Sequence, residues 1–186
     1  MKSLGIDLAG MEKNPTGVCT LTYSIQPDVP KVAKTHVAYT DGDIIAAVKE
    51  EAPDVVCIDG PLSKPNEGFS RQCDQQLASY GIVPPLLGSM RTVMERGMRL
   101  KAELSGFKVI EVFSVGTAKI LGYYDRDQMK QQKRLLSLGV RGDLETRYLT
   151  KDEVDAVSAA LTGYLYLTRK TTEVGSEDGK IVVPKV

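Results

Sequence analysis

The stretch Asp54-Val55-Val56-Cys57-Ile58-Asp59-Gly60-Pro61 decides the fold. Its apolar run, closed by Asp-Gly-Pro, reads as a strand buried on both faces, which is the pattern of a parallel strand in a covered sheet. A helix precedes it. Asp41-Gly42-Asp43 opens a segment whose Ile44, Ile45 and Val48 recur at helical spacing, and that segment closes before Pro53. Further upstream, Ser3 to Leu8 reads as a short buried strand and Gly17 to Ser24 as a second, joined through the turn-rich Asn14-Pro15-Thr16-Gly17. Lys31 to Tyr39 has the mixed polarity of an edge strand, with Pro27 and Pro30 marking the turn before it and His36 facing solvent. The chain therefore changes at residue 54 from a β-meander to βαβ connectivity.

Beyond that point, Ser70 to Tyr80 and Met90 to Leu104 read as helices, with Gly106 as a cap, and Phe107 to Phe113 as another buried strand. Gln128 to Leu138 reads as a polar helix, and residues 139 to 149 as irregular. The last long helix starts at Thr150-Lys151-Asp152-Glu153, where Thr150 and Glu153 have the spacing of a capping box, and runs to about Arg169. Ala156, Ala160 and Gly163 form a seam of small residues that lets its axis lie close to a sheet. In the tail, Ile181-Val182-Val183 reads either as one more edge strand or as a loosely packed apolar stretch. The expectation is an α/β fold, a mixed sheet of about five strands in the order 3-2-1-4-5 with helices on both faces, in one domain over residues 1–186.

Composition narrows the function classes. With 42% hydrophobic and 26% charged residues, and no apolar run near the roughly 18 residues of a membrane span, the chain reads as a soluble globular protein. MKSLGIDLAG reads as a strand and not as an export signal, so the cytoplasm is expected. Three dispersed cysteines and one histidine argue against a disulfide framework and against a zinc cage. Formal charge is zero, yet Lys64 to Arg147 holds 14 basic against 9 acidic residues, so a net +5 there faces −5 elsewhere. That imbalance suits an anionic substrate, and it is also an ordinary solvated surface.

Chemistry points to acids at strand ends. In the expected strand order the first and fourth strands are neighbours, so Asp7 and Asp59 emerge side by side at the C-terminal rim, where open α/β sheets bind ligands. Asp152 and Asp155, three apart, project from one face of the final helix. If that helix packs beside the first strand, three or four carboxylates converge. Buried like charges need shared protons or a bound cation, and an all-oxygen set favours Mg²⁺ or Mn²⁺. Two such ions activate a water and stabilise the leaving oxygen in phosphodiester cleavage. Singly, each acid has a plainer reading: Asp7 and Asp59 as Asx-turn residues, Asp152 as a helix-dipole charge.

A family resemblance joins these residues. Gly5-Ile6-Asp7-Leu8-Ala9 with Asn14-Pro15-Thr16-Gly17, Ile58-Asp59-Gly60-Pro61-Leu62-Ser63, Arg71-Gln72-Cys73-Asp74, Val109-Ile110-Glu111-Val112-Phe113, and Asp155-Ala156 with Ala159-Ala160-Leu161-Thr162 resemble the domain of unknown function family 429. The resemblance spans nearly the whole chain and implies a predicted nuclease with a ribonuclease H-like fold. More distantly, Asp7, Asp59 and the Asp152/Asp155 pair are similar to the acidic quartet of Holliday-junction resolvases, where the acid of the fourth strand is usually glutamate. The resemblance also implies site roles for Arg71, Asp74 and Glu111: Arg71 to clamp a phosphate, Asp74 beside it at the substrate, and Glu111 as a further catalytic acid or, in the plainer reading, half of a salt bridge. Family members often carry proline where this chain has Ser114.

Three functions compete on these grounds. The first is a nuclease with Asp7, Asp59 and Asp155 as metal ligands, Asp152 and Glu111 as further catalytic acids, and DNA or RNA as substrate. The second is a nucleotide- or phosphate-binding protein of the actin-like ATPase type, and the third is an interaction module that kept the fold without the chemistry. A homodimer is left open. Sparse aromatics, with no tryptophan, offer no broad stacking platform for single strands.

Overall fold

The computed structural model describes residues 1–24 and 31–185, so the turn assigned to Pro27 and Pro30 lies outside the described residues. Its strands are β1 (Lys2–Asp7), β2 (Thr16–Thr22), β3 (Lys31–Ala38), β4 (Val55–Asp59), β5 (Val109–Val112), β6 (Val140–Gly142), β7 (Thr171–Ser176) and β8 (Gly179–Pro184). Its helices are α1 (Asp41–Glu51), α2 (Gln72–Gln76), α3 (Met90–Glu103), α4 (Ser114–Ile120), α5 (Gln128–Ser137), α6 (Asp143–Thr146) and α7 (Lys151–Leu167), with a 3₁₀ turn over Ala78–Tyr80. The described strands form one sheet in the order β6-β3-β2-β1-β4-β5-β8-β7. The order 3-2-1-4-5 read from the sequence runs through its centre. β1 pairs antiparallel with β2 and parallel with β4, and β4 pairs parallel with β5.

Side-chain alternation along the central strands sends each set to its own helical layer. Leu4 and Ile6 of β1 and Val56 and Ile58 of β4 pack with Ile44 and Val48 of α1 and Leu100 of α3. On the opposite face, Val55 and Cys57 meet Ala159 of α7, while Cys19 and Leu21 of β2 meet Ala156, Val157 and Ala160. The small-residue seam is real, and the sheet answers it with glycines. A Cβ on Gly5 would stand 2.1 Å from the Ala156 carbonyl oxygen, and one on Gly17 would stand 2.0 Å from that of Asp152. Helix α7 therefore lies against β1 and β2 at backbone contact, which brings its first two turns to the rim where β1 ends.

The outer parts of the sheet differ from the sequence reading. β3 is not an edge: β6 pairs with its first residues, Lys31 with Val140 and Ala33 with Gly142. β6 and α6 both fall in residues 139–149, read as irregular because β6 is framed by left-handed glycines at 139 and 142 and is too short to show a period. The tail forms a hairpin, β8 joining β5 at Val112–Val182 with β7 outside it. Ser70 to Tyr80 holds one short helix and the 3₁₀ turn. α4 begins at Ser114, directly after β5, where no helix was expected. The capping box of α7 is present, Thr150 Oγ1 accepting from the Glu153 N–H and Glu153 accepting from the Thr150 N–H at 2.9 Å. The chain holds no described helix long and apolar enough to cross a membrane.

Candidate metal and active site

Asp7 and Asp59 are the last residues of adjacent parallel strands and are Cα partners in the β1–β4 ladder. Neighbouring strands lie about 4.8 Å apart, so the two carboxyls leave the sheet as neighbours, and parity puts both on the α7 face. Asp155, in the second turn of α7, is buried beneath them, with its side chain only 8% exposed. The field records the closeness. Burial pushes the Asp7 carboxyl well above the usual carboxylate range, and the charges of Asp59 and then Asp155 raise it further. Asp59 is pushed up to about 7, by burial first and by Asp155 as well. Asp152, one turn earlier on α7, is raised by burial and by Asp155, and with Asp7, Leu8, Ala9, Asn14 and Pro15 it lines a shallow depression at the rim.

Two groups oppose this build-up of negative charge. The Lys151 ammonium donates to Asp155 Oδ2, and it also lowers the pKa of Asp7, Asp59 and Asp152. The Ser114 N–H donates to Asp59 Oδ2 at 3.2 Å, while the Ser114 hydroxyl donates to the Asp155 carbonyl at 2.8 Å, so the start of α4 ties β4 to α7. Sequence reasoning missed both residues. Lys151 stood inside a capping sequence, and Ser114 stood only as a departure from the family pattern. The one available signal for Lys151 was its i,i+4 spacing to Asp155.

The position of α7 is set by a second polar cluster. Glu153 accepts from Thr35 Oγ1 of β3 at 3.0 Å, from Arg147 and from its own cap. Burial opposes the charge, but the hydrogen bonds from Arg147, Thr150 and Thr35 prevail and hold the Glu153 carboxyl down at about 2. The loop after Asp7 is pinned in the same way. Buried Arg96 of α3 donates to the Ala9 carbonyl at 2.8 Å, to the Tyr39 carbonyl at 2.7 Å and to Asp41 at 2.7 Å.

Arg71, Asp74 and Glu111 do not join the acids. Glu111 is the Cα partner of Ile58, one residue before Asp59, and therefore leaves the sheet on the opposite face. Arg71 is fully buried and its five N–H donors are all engaged: Nε and Nη2 to Asp74, Nη1 and Nη2 to Glu111 at 2.8 and 2.6 Å, and Nη1 to Ser63. No donor remains for a phosphate. Asp74 also accepts from the Arg71 N–H, and Glu111 from the Leu62 N–H at 2.8 Å. Arg71, Asp74 and Glu111, expected as a phosphate clamp, a substrate residue and a catalytic acid, form a buried brace here, the salt bridge that is the plainer reading of Glu111. Buried charges persist when paired and fully hydrogen-bonded, as these are.

The donor set at the rim, three or four carboxylates whose mutual charge disfavours ionisation, suits a hard divalent cation. As the side chains are turned, no group of three described His, Cys, Asp or Glu residues forms a finished ion cage. Lys151 is the local counter-charge.

No family model and no curated protein matches the chain. Among solved structures it is similar to Thermus thermophilus RuvC, at 13% identity and a TM-score of 0.56, and to T. thermophilus RuvC in complex with Holliday junction substrate, at 14% and 0.53. Each likeness covers 91% of this chain and 96% of the other. The fold is that of the ribonuclease H-like proteins.

Proposed function

We propose that the chain is a cytoplasmic, metal-dependent nuclease of family 429 that hydrolyses phosphodiester bonds at the rim formed by Asp7, Asp59 and Asp155, with Asp152 beside them. The observation that carries this reading is the convergence at the rim: Asp7 and Asp59 end adjacent parallel strands as Cα partners, and after burial itself the charge of Asp155 of α7 raises both their pKa values. Such a cluster tolerates full ionisation only with added positive charge. The fold it shares with RuvC, one structure of which holds a Holliday junction, and the basic middle of the chain support a polyanionic substrate.

Asp7, Asp59 and Asp155 would hold Mg²⁺ or Mn²⁺, which supplies activation of a water and stabilisation of the leaving oxygen. The chain's own groups do the rest. The Ser114 N–H fixes one oxygen of Asp59, and Ser114 favours the ionised form that ligation requires. Lys151 shields the acids from one another and, being largely exposed, is able to turn from Asp155 toward a bound phosphate. The Arg71 and Arg96 braces hold the strand ends and the loop after Asp7.

The test is cleavage of structured DNA and RNA with Mn²⁺ or Mg²⁺, in the natural protein and in Asp7→Asn. Metal-dependent cleavage lost in a folded Asp7→Asn variant supports the reading. Equal cleavage by both proteins, or none by either across substrates, overturns it.

A further inference from the structure

Beside the acids lies a cavity of about 360 Å³. Asp59 and Lys151 form part of its lining, while Pro61, Ile82, Val83, Met90, Phe113 and Val115 supply most of the rest. Its inner wall is the Arg71–Glu111 brace. Every N–H of Arg71 and both oxygens of Glu111 are already engaged there, so the interior has shape and apolar surface but offers no free donor from Arg71. At this size, near the bottom of the roughly 300–1,000 Å³ range of small-molecule sites, it admits one planar ring system and not a stacked base pair.

We infer that this cavity receives a single unpaired nucleobase next to the phosphate that is cleaved. The inference rests on the nuclease reading and narrows its substrate to nucleic acid with a bulged, mismatched or single-stranded nucleotide at the reacting position. Three observations meet in it. The cavity shares Asp59 and Lys151 with the acid rim, so a ligand that puts a phosphate at the rim carries the adjoining base to the cavity. Its walls are apolar, which suits the faces of a base. Its Arg71 and Glu111 liners are spent on each other and on their neighbours, so Arg71 offers no donor to read a base edge. An enzyme with such a pocket takes whichever nucleotide is cheapest to extrude, and an already unpaired base costs least.

The experiment uses short duplexes in which one 2-aminopurine is either bulged or paired, titrated with the full chain in Ca²⁺ buffer and followed by its fluorescence and by anisotropy. The protein should bind the bulged duplex more tightly and change its fluorescence. Val83 is 44% exposed, so Val83→Trp fills the cavity at little risk to folding. That variant should lose about tenfold in affinity for the bulged duplex, the worth of one base–aromatic stack, with no change for the paired one. Equal binding of both duplexes, or a Val83→Trp variant that folds and binds the bulge as tightly as the natural protein, overturns the inference even if cleavage is observed. Preferential bulge binding without cleavage would sustain the pocket and sink the nuclease.

Discussion

Ser114 holds Asp59 by a main-chain hydrogen bond: its N–H donates to Oδ2 at 3.2 Å, from the first residue of α4. A hydrogen bond to the ionised form lowers a carboxyl pKa. Ser114→Pro, at a helix position that proline tolerates, removes this donor, whereas Ser114→Ala keeps it. The Ser114 side chain lowers the Asp59 carboxyl more than the N–H does, so Asp59 should move above its present position near 7 in both variants, and further in Ser114→Pro. Carboxyl ¹³C NMR titration of both variants checks this, and an equal shift in the two would show that the N–H contributes nothing beyond the hydroxyl.

Metal and proton compete for the same oxygens. Asp59 sits near 7 and Asp7 is raised, both above their unfolded value of 3.8. For groups shifted this way the ionised form costs stability, so in the metal-free protein their contribution favours folding below the unfolded pKa and is lost as pH rises through the folded one. Binding a cation requires the ionised form, so Mn²⁺ affinity should climb between pH 6 and about 8 and flatten above. The rise in melting temperature produced by Mn²⁺, measured across that interval, should grow with pH.

Glu153 predicts the opposite trend in acid. Its carboxyl lies at about 2 against 4.5 when unfolded, so its stabilising contribution is complete above 4.5 and disappears as pH falls toward 2. Glu153→Gln should flatten the acid limb of the stability curve, read by urea melts at pH 3, 5 and 7.

The brace predicts a structural defect, not a catalytic one. Arg71→Met leaves Asp74 and Glu111 buried without a partner, and breaking a buried pair from one side costs about 3–5 kcal/mol. Denaturant melts should show a loss of that order, together with normal Mn²⁺ binding in whatever fraction remains folded. An Arg71→Met protein of natural stability that fails only to bind nucleic acid would restore the phosphate clamp.

Much of this site was legible in the chain because it depends on short-range signals. The apolar run ending in Asp59 announced a parallel strand, and the step from meander to βαβ put β1 beside β4. The Ala156, Ala160 and Gly163 seam announced a helix that packs closely. Face parity was legible in principle: Glu111 pairs with Ile58 and so points away from Asp59, but that register only exists once β4 and β5 are aligned. Arg71 read as a phosphate ligand because sequence does not show which donors are already taken. β6 and α4 lacked signal, being too short for a period.

The closeness of α7 to β1 carries the geometry of the rim. Gly5→Ala puts a methyl group against the Ala156 carbonyl, so the helix must shift. Overpacking of this kind costs about 1–3 kcal/mol, and here it should also weaken Mn²⁺ binding by moving Asp155 away from Asp7. Thermal melts with and without Mn²⁺ separate the two effects.

The most direct test is a calorimetric titration of Mn²⁺ at pH 8 into the natural protein, Asp7→Asn and Asp59→Asn. Saturable binding to the natural protein that is lost in both folded variants is the result predicted. No binding to the natural protein, or undiminished binding to either variant, would show that the acids at the ends of β1 and β4 do not share a cation.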